Sequence, residues 1–114
     1  MSLLDKLFGK DVEAFGKELA QTVAKRYPPT LDTASERRVS ASRITKVLED
    51  ALGKAADFAR ERKLGAYKKA RLANTFKWEL KELGYTERFV EVATEGLVVY
   101  MTRRGQKDSD RKEA

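Results

Sequence analysis

The chain has 114 residues, of which 41% are hydrophobic and 37% charged, and its formal net charge is +6. This length fits one domain with a core large enough to need no disulfides. The chain contains no cysteine and no histidine, which excludes thiolate chemistry and removes the commonest general acid–base group and metal ligand. No apolar run approaches the roughly 18 residues of a membrane helix, and the sequence therefore predicts a cytoplasmic protein.

The first eight residues predict a short N-terminal helical turn. Asp5 interrupts their apolar stretch, which differs from the continuous apolar core of a secretory signal. The segment offers too little apolar surface for stable membrane anchoring, so we expect it to dock on the domain itself. Its apolar residues are Leu3, Leu4, Leu7 and Phe8.

A first helix is predicted over 11–26, with Asp11 as its N-cap, because apolar residues recur at helical spacing up to the pair Pro28-Pro29. A second helix is predicted over 41–64. Gly65 follows it, where a left-handed residue is expected to end the helix. The apolar face of this second helix is Ile44, Val47, Leu48, Ala51, Leu52, Ala55, Phe58 and Ala59.

A third helix is predicted over 66–83 and ends at Gly84. One side of it is an ordinary core stripe that includes Phe76 and Leu80, which we expect to share one core with Leu48, Leu52 and Phe58. On nearly the opposite side a second stripe mixes aromatic, basic and amide side chains. That stripe is Tyr67, Arg71, Asn74 and Trp78, with Lys81 beside it.

Two interpretations fit the second stripe. Tyr67 and Trp78 are candidates for stacking on nucleic-acid bases, since aromatic rings beside cations suit that task. Alternatively, both rings pack in a second apolar layer against the first helix or the N-terminal residues, because tryptophan is usually mostly buried.

The segment 86–104 is compatible with two structures. A helix would have Thr86 as its N-cap and Gly105 after its end. A β-hairpin over 89–101, turning near Gly96, would instead give an α+β, winged-helix-like domain. We predict the helix, and therefore a mainly α, compact four-helix domain over 1–104. The polar segment 105–114 is predicted to be a disordered tail.

Residues 35–72 carry the whole net charge, with eleven basic and five acidic side chains. A localised excess indicates a surface that meets a polyanion. Around Gly65 only Glu61 opposes six cations in the sequence. The predicted polyanion-binding residues are Arg37, Arg38, Arg43, Arg60, Arg62, Lys63, Lys68, Lys69 and Arg71.

The sequence contains no catalytic motif, no Gly-rich phosphate loop and no metal-ligand pattern. We therefore expect no catalytic residue, cofactor, metal or small-molecule substrate. The leading interpretation is a small binding protein that contacts nucleic acid or another polyanion through residues 35–72. The alternative is a protein–protein adaptor or homodimer that uses the Tyr67/Trp78 face or the surface around Val98 and Val99. An exposed Trp78 with basic neighbours would favour nucleic acid.

Overall fold

The computed structural model describes the backbone of residues 9–33 and 41–113, and their side chains up to residue 102 apart from Ala41. These residues form five helices and no strand, which confirms the mainly α prediction. Helix α1 spans Lys10–Arg26, α2 Pro29–Thr33, α3 Ala41–Glu61, α4 Ala66–Leu83 and α5 Glu87–Glu113.

The alternative hairpin over 89–101 was wrong, because the whole segment belongs to α5. Gly96 lies inside this helix and makes a close helix contact possible. A Cβ built on it would meet the Leu52 Cδ1 atom of α3 at 2.9 Å. A glycine in a helix can thus indicate tight packing as well as a turn.

The four long helices form a bundle in which α1 packs mainly against α4, and α5 packs against α3 and α4. Ion pairs at the two ends of α1 show that α1 and α3 are antiparallel. Arg62 Nη1 lies 3.1 Å from Asp11 Oδ2 at one end, and Arg26 Nη1 lies 2.7 Å from Asp50 Oδ2 at the other. The hydrogen bond from Arg26 also holds the pKa of Asp50 below its usual range. We call the end where α1 begins, α3 ends and α4 begins the Gly65 end.

One hydrophobic core joins the long helices. Leu52, Phe76 and Leu80 are fully buried in it, and Leu48 and Phe58 are half-buried against it, as the sequence predicts. Phe58 of α3 stacks on Phe15 of α1, with ring centroids 4.0 Å apart.

The turn after α3 differs from the prediction. Gly65 has extended backbone and serves as the N-cap of α4, whereas Lys63 takes the left-handed conformation, with φ 52°. The Leu64 N–H donates to the Ala59 carbonyl oxygen at 2.9 Å and the Lys63 N–H to that of Arg60 at 3.1 Å. This is the Schellman arrangement of a helix end, displaced two residues before the glycine. Helix α3 therefore ends at Glu61 and not at 64.

The start of α5 is confirmed. Thr86 Oγ1 accepts a hydrogen bond from the Phe89 N–H at 3.3 Å, as an N-cap residue does. Asp32 of α2 accepts a second bond from the Thr86 N–H at 2.8 Å. Gly84, at φ 104°, closes α4 as predicted.

Helix α5 is longer than predicted. Its backbone stays helical through Gly105 to Glu113, so the boundary at 104 was wrong, and residues 105–113 are helical where the sequence predicts a disordered tail. A glycine costs a helix about 1 kcal/mol without imposing a break, so Gly105 does not force α5 to end. The N-terminal helical turn over residues 1–8 lies outside the described residues, and the single domain over 1–104 stays a prediction.

Candidate functional site

The Gly65 end gathers six of the nine predicted polyanion-binding residues. Arg60 closes α3, Arg62 and Lys63 form the turn, and Lys68, Lys69 and Arg71 lie in the first two turns of α4. Arg43 lies near the start of α3, about 25 Å from Arg60 at 1.5 Å per residue, so the fold does not bring it to this cluster. Arg37 and Arg38 lie outside the described residues.

Acidic side chains from α1 pair with this cluster, and the sequence analysis missed them. Arg62 pairs with Asp11, and Arg71 Nη2 donates to Glu13 Oε1. Arg60 lies 3.2 Å from Asp57 within α3. Glu61 is thus not the only acid nearby, because α1 begins beside the end of α3. A count of charges along a segment covers only neighbours in the sequence. It therefore cannot reveal a contact between helices whose residues are more than 50 positions apart.

The Arg62 guanidinium is fixed in position by two groups. Asp11 Oδ2 accepts a hydrogen bond from Arg62 Nη1 at 3.1 Å. The Cζ atom of Arg62 lies 5.1 Å from the centroid of the Phe58 ring. Asp11 therefore acts as an ion-pair partner and not as the predicted N-cap, a position that Gly9 takes. The guanidinium remains about half exposed, so its outer N–H groups can reach a ligand.

The start of α4 adds positive charge and a helix N-terminus to the Gly65 end. Its first turn contains no acidic residue, and its N-cap, Gly65, has no side chain to bond the free N–H groups. Lys69 lines a cavity of about 470 Å³ between this turn and α5, with Leu64, Val98 and Met101 among its walls. Lys63 stands exposed in the turn itself. Both the helix dipole and these lysines favour an anion here.

Among the described helices, none covers one side of α4. Tyr67 is 66% exposed and Trp78 is 54% exposed there, so the interpretation in which α1 buries both rings was wrong. The N-terminal residues that were the other possible cover lie outside the described residues. Lys81 Nζ lies 4.9 Å and Lys77 Nζ 6.0 Å from the centroid of the Trp78 ring. We call this exposed side the α4 face. It consists of Tyr67, Asn74, Lys77, Trp78 and Lys81.

The two sides of Trp78 differ in charge. At 100° per residue, Lys77 and Lys81 project to one side of it and Glu79 and Glu82 to the other. The acidic side faces α1, where a groove of about 300 Å³ separates the two helices. The groove is lined by Glu13, Lys17, Asn74, Thr75, Trp78, Glu79 and Glu82.

A buried tyrosine pair lies at the opposite end of the bundle. The Tyr85 hydroxyl donates to the Tyr27 carbonyl oxygen, and the Tyr27 hydroxyl donates to Asp32 Oδ1 at 3.0 Å. Burial, together with the bond to Asp32, raises the pKa of Tyr27 to about 12, and burial raises the pKa of Tyr85 further above its ordinary value. Both phenols stay protonated near neutral pH, and their contacts join the loop after α1 to α2 and α5. They are structural groups.

Within the described part of the chain, no cluster of three or more acidic side chains is arranged to hold a metal ion. The same residues include no helix with the length and apolarity needed to cross a bilayer. No protein-family model, curated protein or solved structure matches this chain.

Proposed function

We propose that this protein is a non-catalytic, cytoplasmic binding protein that contacts a nucleic acid or another polyanion with its Gly65 end. The observation that supports this most is the meeting of six cations where α3 ends and α4 begins. A folded arrangement that concentrates positive charge at one end produces a local field, which attracts a ligand dense in negative charge.

The ion pairs of the arginines in this cluster with Asp57 of α3 and with Asp11 and Glu13 of α1 leave this proposal intact. Arg60, Arg62 and Arg71 are each about a third to a half exposed in their pairs, and pairs of this kind contribute about 0–1 kcal/mol. A phosphate can therefore take the place of a carboxylate at little cost. Each phosphate contact also releases counterions, which makes binding depend steeply on salt concentration.

Charge reversal at two lysines tests the proposal. We expect Lys63→Glu with Lys69→Glu to weaken binding of heparin and of DNA in titrations at low salt. The loss of affinity should be similar for all DNA sequences. The salt slope, which is the steepness with which the logarithm of the association constant falls with the logarithm of salt concentration, should decrease by about 0.9 for each duplex phosphate that the variant no longer binds.

A matched double variant provides the control. Lys25→Glu with Lys54→Glu makes the same change in net charge on exposed residues away from the Gly65 end. We expect a much smaller loss of affinity from it. Equal losses from the two double variants would show that only net charge matters, and would contradict a binding surface at the Gly65 end.

A second candidate function is self-association or protein binding through α5. Val92, Val98 and Val99 are 51%, 46% and 43% exposed on this helix, and exposed apolar side chains that lie together often mark interfaces. Sedimentation measures this directly. A dimer that Val98→Lys and Val99→Lys dissociate would favour it, whereas a monomer at all concentrations would contradict self-association.

A further inference from the structure

We infer that the ligand is a single-stranded nucleic acid whose bases stack on Trp78 and Tyr67 along the α4 face. The inference rests on the proposed function, because cations at the Gly65 end must hold the phosphates of the same strand. It adds the class of nucleic acid and the residues that distinguish it from other polyanions.

The two rings are suited to stacking by their exposure and their common face. Both are more than half exposed, and they are eleven positions apart, which is three helical turns, or about 16 Å along α4. Exposed Asn74 lies between them and offers an amide to base edges. Bases within a duplex present no free ring face, whereas those of a single strand stack readily on aromatic side chains.

The lysines above Trp78 allow an exchange when a base arrives. In the free protein the ammonium groups of Lys77 and Lys81 lie over the indole. A stacking base displaces at least one of them, and that ammonium can then pair with the phosphate that the base brings. The exchange favours the bound state, because base–aromatic stacking is stronger than an exposed cation–π contact.

The acidic residues beside Trp78 determine the side on which the strand lies. Glu79 and Glu82 repel phosphates from the groove next to α1. The backbone is thus directed to the side of Lys77 and Lys81. Tyr67 lies in the first turn of α4, so a strand that continues past its ring reaches the cations of the Gly65 end.

Fluorescence tests this inference because Trp78 is the only tryptophan of the chain. The protein is titrated with a single-stranded oligothymidylate, with a duplex of equal phosphate number and with heparin, while a fluorescent label on each ligand reports binding independently. We expect the single strand to change the emission of Trp78 and to bind on the order of tenfold more tightly than the duplex. Bound single strand with unchanged Trp78 emission would overturn the inference.

Substitutions separate stacking from charge. Trp78→Ala is expected to weaken single-strand binding on the order of tenfold and to leave heparin binding unchanged. Gln21→Ala, which truncates an exposed residue on α1, is the control and should change neither. Circular dichroism verifies that both variants fold, and Trp78→Phe, which keeps an aromatic ring, should restore part of the affinity. Equal losses for single strand and heparin in Trp78→Ala would overturn the inference.

The same experiment distinguishes two failures. If heparin binds in a salt-dependent way but Trp78 has no influence on single-strand affinity, the stacking inference is wrong and the proposed function stands. If neither heparin nor any nucleic acid binds the folded protein at low salt, the proposed function is wrong and the stacking inference falls with it.

Discussion

The turn after α3 places a lysine where glycine would have lower energy, and one substitution there tests both stability and binding. Lys63 has φ 52° in the Schellman turn. A residue with a Cβ loses about 1–2 kcal/mol when it adopts the left-handed conformation. Glycine avoids this cost, but it is more flexible in the unfolded chain, and that reduces the gain by about 0.5–1 kcal/mol. We therefore expect Lys63→Gly to raise the free energy of unfolding by about 0.5–1 kcal/mol. The corresponding rise in Tm is about 2–5 °C.

The same substitution removes one cation from the proposed binding surface. We expect weaker heparin binding and a smaller salt slope, although the protein is more stable. Urea and thermal unfolding measure the first effect, and titration at several salt concentrations measures the second. Lys63→Ala is the matched control, because it removes the charge and keeps the left-handed strain, so it should lose affinity without the gain in stability. A destabilised Lys63→Gly would refute the strain argument, and unchanged binding in both variants would remove Lys63 from the interface.

Three further predictions concern the fold. Leu52→Ala and Phe76→Ala should each lower the free energy of unfolding by about 2–5 kcal/mol, because both residues are fully buried; a change below about 0.5 kcal/mol at both sites in urea unfolding would contradict the described core. Folding raises the pKa of Tyr27 and of Tyr85, so the free energy of unfolding should fall as pH rises from about 10 towards 12 and the phenols lose their protons. Tyr85→Phe should make this dependence on pH less steep. An unaltered pH profile in the variant would count against this assignment. Gly84→Ala should destabilise by about 1 kcal/mol, since φ is 104° there; equal Tm values for variant and wild type would show that the position tolerates a Cβ.

Local sequence signals predict the helices well. The apolar periodicity and the residues Gly84 and Thr86 place α4 and the start of α5 correctly. Prediction fails where a residue has more than one structural use. Gly65 caps α4 and does not end α3, and Gly96 allows α3 and α5 to approach and does not form a turn. A glycine alone does not distinguish a left-handed conformation from close packing.

The candidate site is predicted in part. The charge count identifies the cluster around Gly65, because those cations are close together in the chain. It cannot reveal that Asp11 and Glu13 pair with Arg62 and Arg71, since those contacts depend on how α1 packs. Periodicity places Tyr67 and Trp78 on one side of α4, but whether that side is covered depends on the arrangement of all the helices.

The salt dependence of nucleic-acid binding tests the central claim most directly. The measurement is the association constant of a single-stranded oligonucleotide at about 50 mM and about 200 mM salt. With roughly four to six phosphate contacts and a slope near 0.7 for each, we predict a loss of roughly 50- to 300-fold between the two conditions. The claim is contradicted if no binding is detected at the lower salt concentration while circular dichroism shows the helical protein intact.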